Sequence, residues 1–94
     1  MAKAKTQQRE VYYSGNVQGV GFRYTTRSIA RGFAVTGFVK NLSDGRVQVV
    51  VEGEPAEVQA FLNNVQGEMR QWIHQTQETV LSATGRFPTF DVRY

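Results

Sequence analysis

From Glu10 onward the apolar residues recur with two periods, and the switches between them mark out the elements. Glu10 to Ser14 carries Val11-Tyr12-Tyr13, a β-branched and aromatic run that predicts a strand. A glycine-rich stretch, Gly15 to Gly21, interrupts it. From Phe22 the period lengthens: Phe22, Thr26, Ile29, Ala30 and Phe33 recur at helical spacing. Gly32 stands where a C-terminal cap belongs, with Arg27 and Arg31 placed to meet the last carbonyls. Val35 to Asn41 and Arg46 to Glu52 then predict two strands, the second with Val47, Val49 and Val51 alternating on one face. Ser43-Asp44-Gly45 is the turn that joins them into a hairpin. Pro55 suits the first turn of another helix, whose stripe is Val58, Phe61, Leu62 and Val65, and Gly67 is expected to end it. Trp72 to Val80 and Phe90 to Tyr94 read as the last strands.

Strand, helix, strand, strand, helix, strand is the order of the split βαβ unit. The expected class is therefore α+β: a ferredoxin-like βαββαβ sandwich, an antiparallel sheet with two helices on one face. Many functions share this architecture, so the fold by itself assigns none.

A chain of 94 residues suggests one domain, here a flexible tail over 1–9 and a folded body over 10–94. Cysteine is absent, which excludes disulfides and thiolate metal sites. With His74 as the single histidine, a zinc site would need carboxylates for nearly all its ligands; no metal and no cofactor are expected. No apolar run approaches the roughly 18 residues of a membrane span, and Met1 to Gln8 lacks the apolar stretch of a secretory signal. These features point to a soluble, cytoplasmic protein with no membrane partner. The net charge of +3 changes the picture little. Lys3, Lys5 and Arg9 lie in or beside the tail, and without them eight basic residues face eight acidic ones. A duplex-binding surface carries a basic excess on the folded body, so no nucleic-acid partner is expected.

The candidate chemistry lies in Gly15-Asn16-Val17-Gln18-Gly19-Val20-Gly21, which joins a strand to a helix start. Glycines let the backbone turn sharply beside a ligand. The first helical turn has free amide hydrogens and the positive end of the dipole, which together suit a phosphate. Arg23 falls in that turn, where its own charge is electrostatically misplaced unless an anion binds; its guanidinium can grip two phosphate oxygens. The alternative is a plain connection with an arginine that reaches out to water. Neither familiar nucleotide motif matches. Tyr24 stands where the dinucleotide fingerprint needs a small residue, and no Gly-Lys-Ser/Thr triplet follows Gly19.

Gly15 to Arg23 closely resembles the first signature of the acylphosphatase family, and Gly37-Phe38-Val39-Lys40-Asn41-Leu42-Ser43-Asp44-Gly45-Arg46-Val47 resembles its second. Phe90 to Tyr94 is similar to the family's C-terminal strand. The resemblance implies hydrolysis of a small acyl phosphate to a carboxylate and inorganic phosphate, by a monomer without metal or cofactor. It implies that Arg23 binds the phosphate together with the loop Gly15, Asn16, Val17, Gln18, Gly19 and Val20, the amides of Asn16 to Val20 forming the cradle. Asn41 is implied to orient the attacking water. Asn16 replaces a residue that is often basic or histidine, and Gly67-Glu68 replaces a frequent Gly-Pro pair.

Two rival classes compete with this reading. One is a catalytically silent domain of this family, serving as a regulatory or interaction module. The other is an RNA-binding module of the same fold, because Arg31 to Phe38 matches five of the seven specified positions of an RNA-recognition motif. That match falls at the end of the first helix, where Gly32 is explained by capping, and the third strand carries no aromatic to stack on bases. His74, Trp72 and the tyrosines read as sheet residues, and of Arg23, Arg27 and Arg31 only Arg23 is close to the loop.

Overall fold

The computed structural model describes residues 6–94. Its elements are β1 (Gln7–Gly15), α1 (Phe22–Ala30), β2 (Val35–Asn41), β3 (Val47–Gly53), α2 (Pro55–Met69), a 3₁₀ turn (Arg70–Trp72), β4 (Ile73–Ser82) and β5 (Phe90–Arg93). The sheet order is β4-β1-β3-β2-β5. The ferredoxin-like βαββαβ class holds, with one refinement. The first four strands pair antiparallel, but β5 lies parallel to β2, so the five-stranded sheet is mixed.

Alternation decides which face is covered. Val11 and Tyr13 on β1, Val39 on β2, and Val47, Val49 and Val51 on β3 are buried on one face, as period-two patterning requires. Against them pack Phe22, Thr26 and Ala30 from α1 and Val58, Phe61, Leu62, Val65 and Met69 from α2. Aromatic pairs join the layers: Tyr13 meets Phe22 at 5.1 Å, and Phe61 meets Phe90 at 5.3 Å between ring centres.

Several boundaries differ from expectation, each for a local reason. The chain enters the sheet at Gln7, which pairs with Gly53, so Gln7 to Arg9 belong to β1 rather than to a tail. Arg9 bonds Glu78 on β4 at 2.8 Å and the Gln59 side chain at 2.6 Å. Of the rest of the expected tail, residues 1–5 lie outside the described residues. α1 ends through successive i to i−3 bonds (Arg31 to Ser28, Gly32 to Ile29, Phe33 to Ala30) and not through a left-handed glycine at Gly32. α2 runs on through Gly67 to Met69. Glycine in a helix costs about 1 kcal/mol relative to alanine, and burying Met69, four residues past Val65, offsets it. Trp72 sits in the 3₁₀ turn, and β4 begins at Ile73.

On the sheet's other face the segment over 83–89 crosses back toward β5. Glu52 holds it: this buried carboxylate accepts from Gln8 Nε2 (2.7 Å), from the amide and hydroxyl of Thr84 (2.9 and 2.8 Å) and from the Gly85 amide (2.9 Å). Phe87 in the same segment packs on Phe38 of β2 at 5.8 Å.

Candidate active site

β1 delivers the chain into the glycine loop at a crowded point. Gly15 has φ 126°, and a Cβ there would lie 2.6 Å from the Trp72 carbonyl oxygen and 2.8 Å from the His74 amide nitrogen, so only glycine fits. The next amide, Asn16 N–H, donates to that Trp72 carbonyl at 2.9 Å. This corrects the expected cradle. Asn16 has its amide hydrogen engaged, and Gly15 is part of the sheet, so these two residues anchor the loop.

Beyond them the loop is open. Among the described residues no backbone carbonyl accepts from the amides of Val17, Gln18, Gly19, Val20 or Gly21. Gly21 is the N-cap of α1 in a left-handed conformation, φ 79°, which reverses the chain into the helix without Cβ strain. The first helical bond runs from the Thr25 amide to the Gly21 carbonyl at 3.0 Å, so the amides of Phe22, Arg23 and Tyr24 are free as well. No acidic side chain lies in the first turn to occupy the dipole's positive end.

Arg23 stands in that turn with no carboxylate partner among the described residues; the ion pairs there are Arg9–Glu78 and Arg46–Asp44. Its guanidinium lies 4.7 Å from the centre of the Tyr94 ring, and its Nη1 makes a long 3.5 Å contact with the Arg93 carbonyl. Tyr94 shares a 2.6 Å hydrogen bond with the Tyr24 hydroxyl, which raises the Tyr94 phenol above its ordinary pKa. This leaves the guanidinium steered by an aromatic surface while its charge is not neutralised.

Asn41 closes β2 and pairs across the hairpin with Val47. Its Oδ1 is buried and has no hydrogen-bond partner. Such an acceptor costs about 1–3 kcal/mol if left unsatisfied. The residue borders a hollow of about 120 Å³ lined by Val17, Gly19, Gly21, Phe22, Arg23, Tyr24 and Asn41. That is the volume of a few waters at about 30 Å³ each.

Of the residues singled out in the sequence, the structure brings Val17, Gly19, Arg23 and Asn41 together around this hollow. Gly15, Asn16, Gln18 and Val20 do not line it. Val20 packs against the core, and the Gln18 side chain points to the β2–β3 turn, with Nε2 donating to the carbonyls of Leu42 (2.8 Å) and Arg46 (3.0 Å). Sequence reasoning missed that strut, along with Tyr24 and Tyr94. Gly21, inside the expected glycine loop but outside the expected phosphate-binding set, lines the hollow as well. The contact between Tyr24 and Tyr94 spans 70 residues and has no local pattern to betray it. His74 lies on β4 beside Gly15 and does not reach the hollow. Among the described residues no three His, Asp or Glu side chains converge as a metal site, and no helix is long and apolar enough to cross a membrane.

Fold and site together define a ferredoxin-like α+β protein with an arginine-backed amide loop, a class suited to a small phosphorylated ligand. The chain belongs to the acylphosphatase family, whose model matches residues 9–92. It is 55% identical over 56 residues to an acylphosphatase of Archaeoglobus fulgidus, covering 60% of this chain and spanning 63% of that relative's length. It is 42% identical over 87 residues to an acylphosphatase of Synechococcus, covering 88% of each. The crystal structure of the Bacillus subtilis acylphosphatase superposes with a TM-score of 0.83 at 29% identity, covering 94% of this chain and 99% of that one.

Proposed function

We propose that this chain hydrolyses acyl phosphates to a carboxylate and inorganic phosphate. Arg23 and the open amides from Val17 to Arg23 take the phosphoryl oxygens, and Asn41 orients the attacking water. One observation carries the reading. An arginine without an acid, residues of a loop whose amides are unpaired, and an asparagine whose buried oxygen has no donor line one small hollow. Each lacks what another part of a substrate–water pair supplies. The phosphoryl group offers acceptors to the arginine and amides, and water donates to Asn41 Oδ1. Family and fold support acyl phosphate chemistry in general terms.

In the proposed step the water oxygen forms a bond to phosphorus while the bond from phosphorus to the acyl oxygen breaks. The electron pair leaves on the carboxylate, a good leaving group that needs no strong acid. No aspartate, glutamate or histidine lines the hollow, so the water's proton passes to a phosphoryl oxygen. Phosphoryl transfer depends mainly on positioning and on stabilising charge on the equatorial oxygens. Both are properties of the loop and of Arg23.

Benzoyl phosphate hydrolysis by the purified chain is the test. Asn41→Ala should lower kcat while inhibition by inorganic phosphate stays close to that of the wild type. An Asn41→Ala protein as fast as wild type would remove the water-orienting role. A folded wild-type protein that hydrolyses no acyl phosphate would favour a silent module of the family.

A further inference from the structure

Gln18 joins the two halves of the site. Its carboxamide leaves the loop and bonds two carbonyls, Leu42 O at 2.8 Å and Arg46 O at 3.0 Å, which lie 24 and 28 residues away in sequence. These carbonyls flank the rung on which Asn41 pairs with Val47. Each already accepts one bond within the turn: Leu42 O from the Gly45 amide at 3.1 Å, and Arg46 O from the Leu42 amide at 2.8 Å. Gln18 fills the second lone pair of both. A carbonyl has two, so both acceptors are then fully used.

We infer that Gln18 is a positioning residue, whose side chain fixes the distance between the phosphate-binding loop and Asn41 by bridging the Leu42 and Arg46 carbonyls. The argument rests on the roles proposed above for the loop and for Asn41. Among the described residues, this carboxamide makes the only side-chain hydrogen bonds between the loop and the β2–β3 turn. The loop's other backbone anchor, Asn16 N–H to Trp72 O, ties it to the opposite side of the sheet. Without Gln18 the loop would keep its amides and Arg23, the turn would keep its own bonds, and β1 and β2 would stay paired to Val47 of β3, but no side-chain hydrogen bond would tie the loop beyond Asn16 to the turn. A displacement of about 1 Å between a bound group and its reacting partner can cost on the order of 10²-fold in rate. The effect should therefore appear in turnover, not in phosphate binding, because the binding groups all sit on the loop side.

A double-mutant cycle on benzoyl phosphate hydrolysis tests this. Gln18→Met keeps the side chain's length and neutrality and removes its donors. It should lower kcat by about 10- to 100-fold and leave the inhibition constant of inorganic phosphate within about twofold. In the Asn41→Ala background the same substitution should change kcat by less than about twofold, since residues that act as a unit lose their effect together. If Gln18→Met does not fold, Gln18→Asn enters the same cycle: it retains the amide but is one methylene too short to span both carbonyls. Equal fold-losses in both backgrounds would overturn the inference, as would a rise in the phosphate inhibition constant that matches the loss in kcat. If Asn41→Ala alone is as fast as wild type, the water-orienting role fails first and this inference falls with it. A slow Asn41→Ala with an additive cycle removes only the inference.

Discussion

The β2–β3 hairpin carries two polar side chains with buried oxygens at its opposite ends, and they are treated in opposite ways. At the far end Glu52, across from Thr36, receives four hydrogen bonds and pins the 83–89 segment to the sheet. At the turn end Asn41, across from Val47, buries an oxygen that receives none. A buried carboxylate is tolerable only when donors replace its water, and Glu52 has a full set. Burial pushes its pKa up, but the Thr84 and Gly85 amides, the Thr84 hydroxyl and the Gln8 carboxamide hold it below the usual value. On the proposed function, the Asn41 end, with the open loop amides and Arg23 beside it, leaves the same requirement to a ligand. On that reading, complete satisfaction marks the end that maintains the fold, and incompleteness marks the end proposed to bind.

The largest effect that separates the two ends is catalytic. Arg23→Ala should lower kcat/KM for benzoyl phosphate by on the order of 10²–10³-fold, the usual cost of removing one preorganised donor to developing charge. Inhibition by inorganic phosphate should weaken in parallel. Thermal stability should hardly move, because Arg23 has no ion pair to lose. An equal loss of stability and activity would mean that the arginine belongs to the fold and would break the comparison.

Next in size is the mirror experiment. Glu52→Ala leaves the Gln8, Thr84 and Gly85 donors without their shared acceptor. It should cost about 2–4 kcal/mol, or on the order of 10–20 °C in Tm for a domain of this size, with kcat/KM unchanged below the new Tm. Denaturant titration of the variant checks the first figure.

Acid sharpens the same contrast. The folded state holds Glu52's pKa below its ordinary value, so the unfolded chain takes up that proton first. The stabilisation is complete above about pH 4.3, the ordinary glutamate value, and is lost as the pH falls through the depressed folded one. Stability measured between pH 6 and pH 3 should therefore fall more steeply in wild type than in Glu52→Gln. Parallel curves would show that the carboxylate's charge is not what holds the 83–89 segment.

Much of this was legible in sequence, and unevenly so. The hairpin strands, the Pro55 helix start and the buried valines follow from local periodicity, which is a property of neighbouring residues. Arg23 and the loop could be argued from the electrostatics of a helix start. Asn41 could not: nothing in composition or spacing distinguishes it, and only resemblance pointed to it. The parallel β5, the Glu52 network and the Gln18 strut are contacts between residues tens of positions apart, where periodicity carries no information. Asn16 failed for the same reason, because its amide is claimed by Trp72, a residue on the far side of two helices in the chain.

The smallest predicted effect is the most discriminating, because it has the opposite sign from the Glu52 result. Removing a well-bonded buried group destabilises, whereas removing an unbonded one relieves a desolvation cost. Asn41→Ala deletes the orphan oxygen and keeps the strand's backbone rung with Val47. The free protein should therefore gain on the order of 0.5–1 kcal/mol while losing turnover, the trade expected where a site is held unsatisfied for function. The gain is bounded by the small cavity left behind and by any water that already bonds Oδ1 in solution. A denaturation midpoint shifted upward with an unchanged m-value is the outcome that supports this account. A loss of stability comparable to that of Glu52→Ala would show that Asn41 is a structural strand-end residue, and the two ends of the hairpin would then be alike.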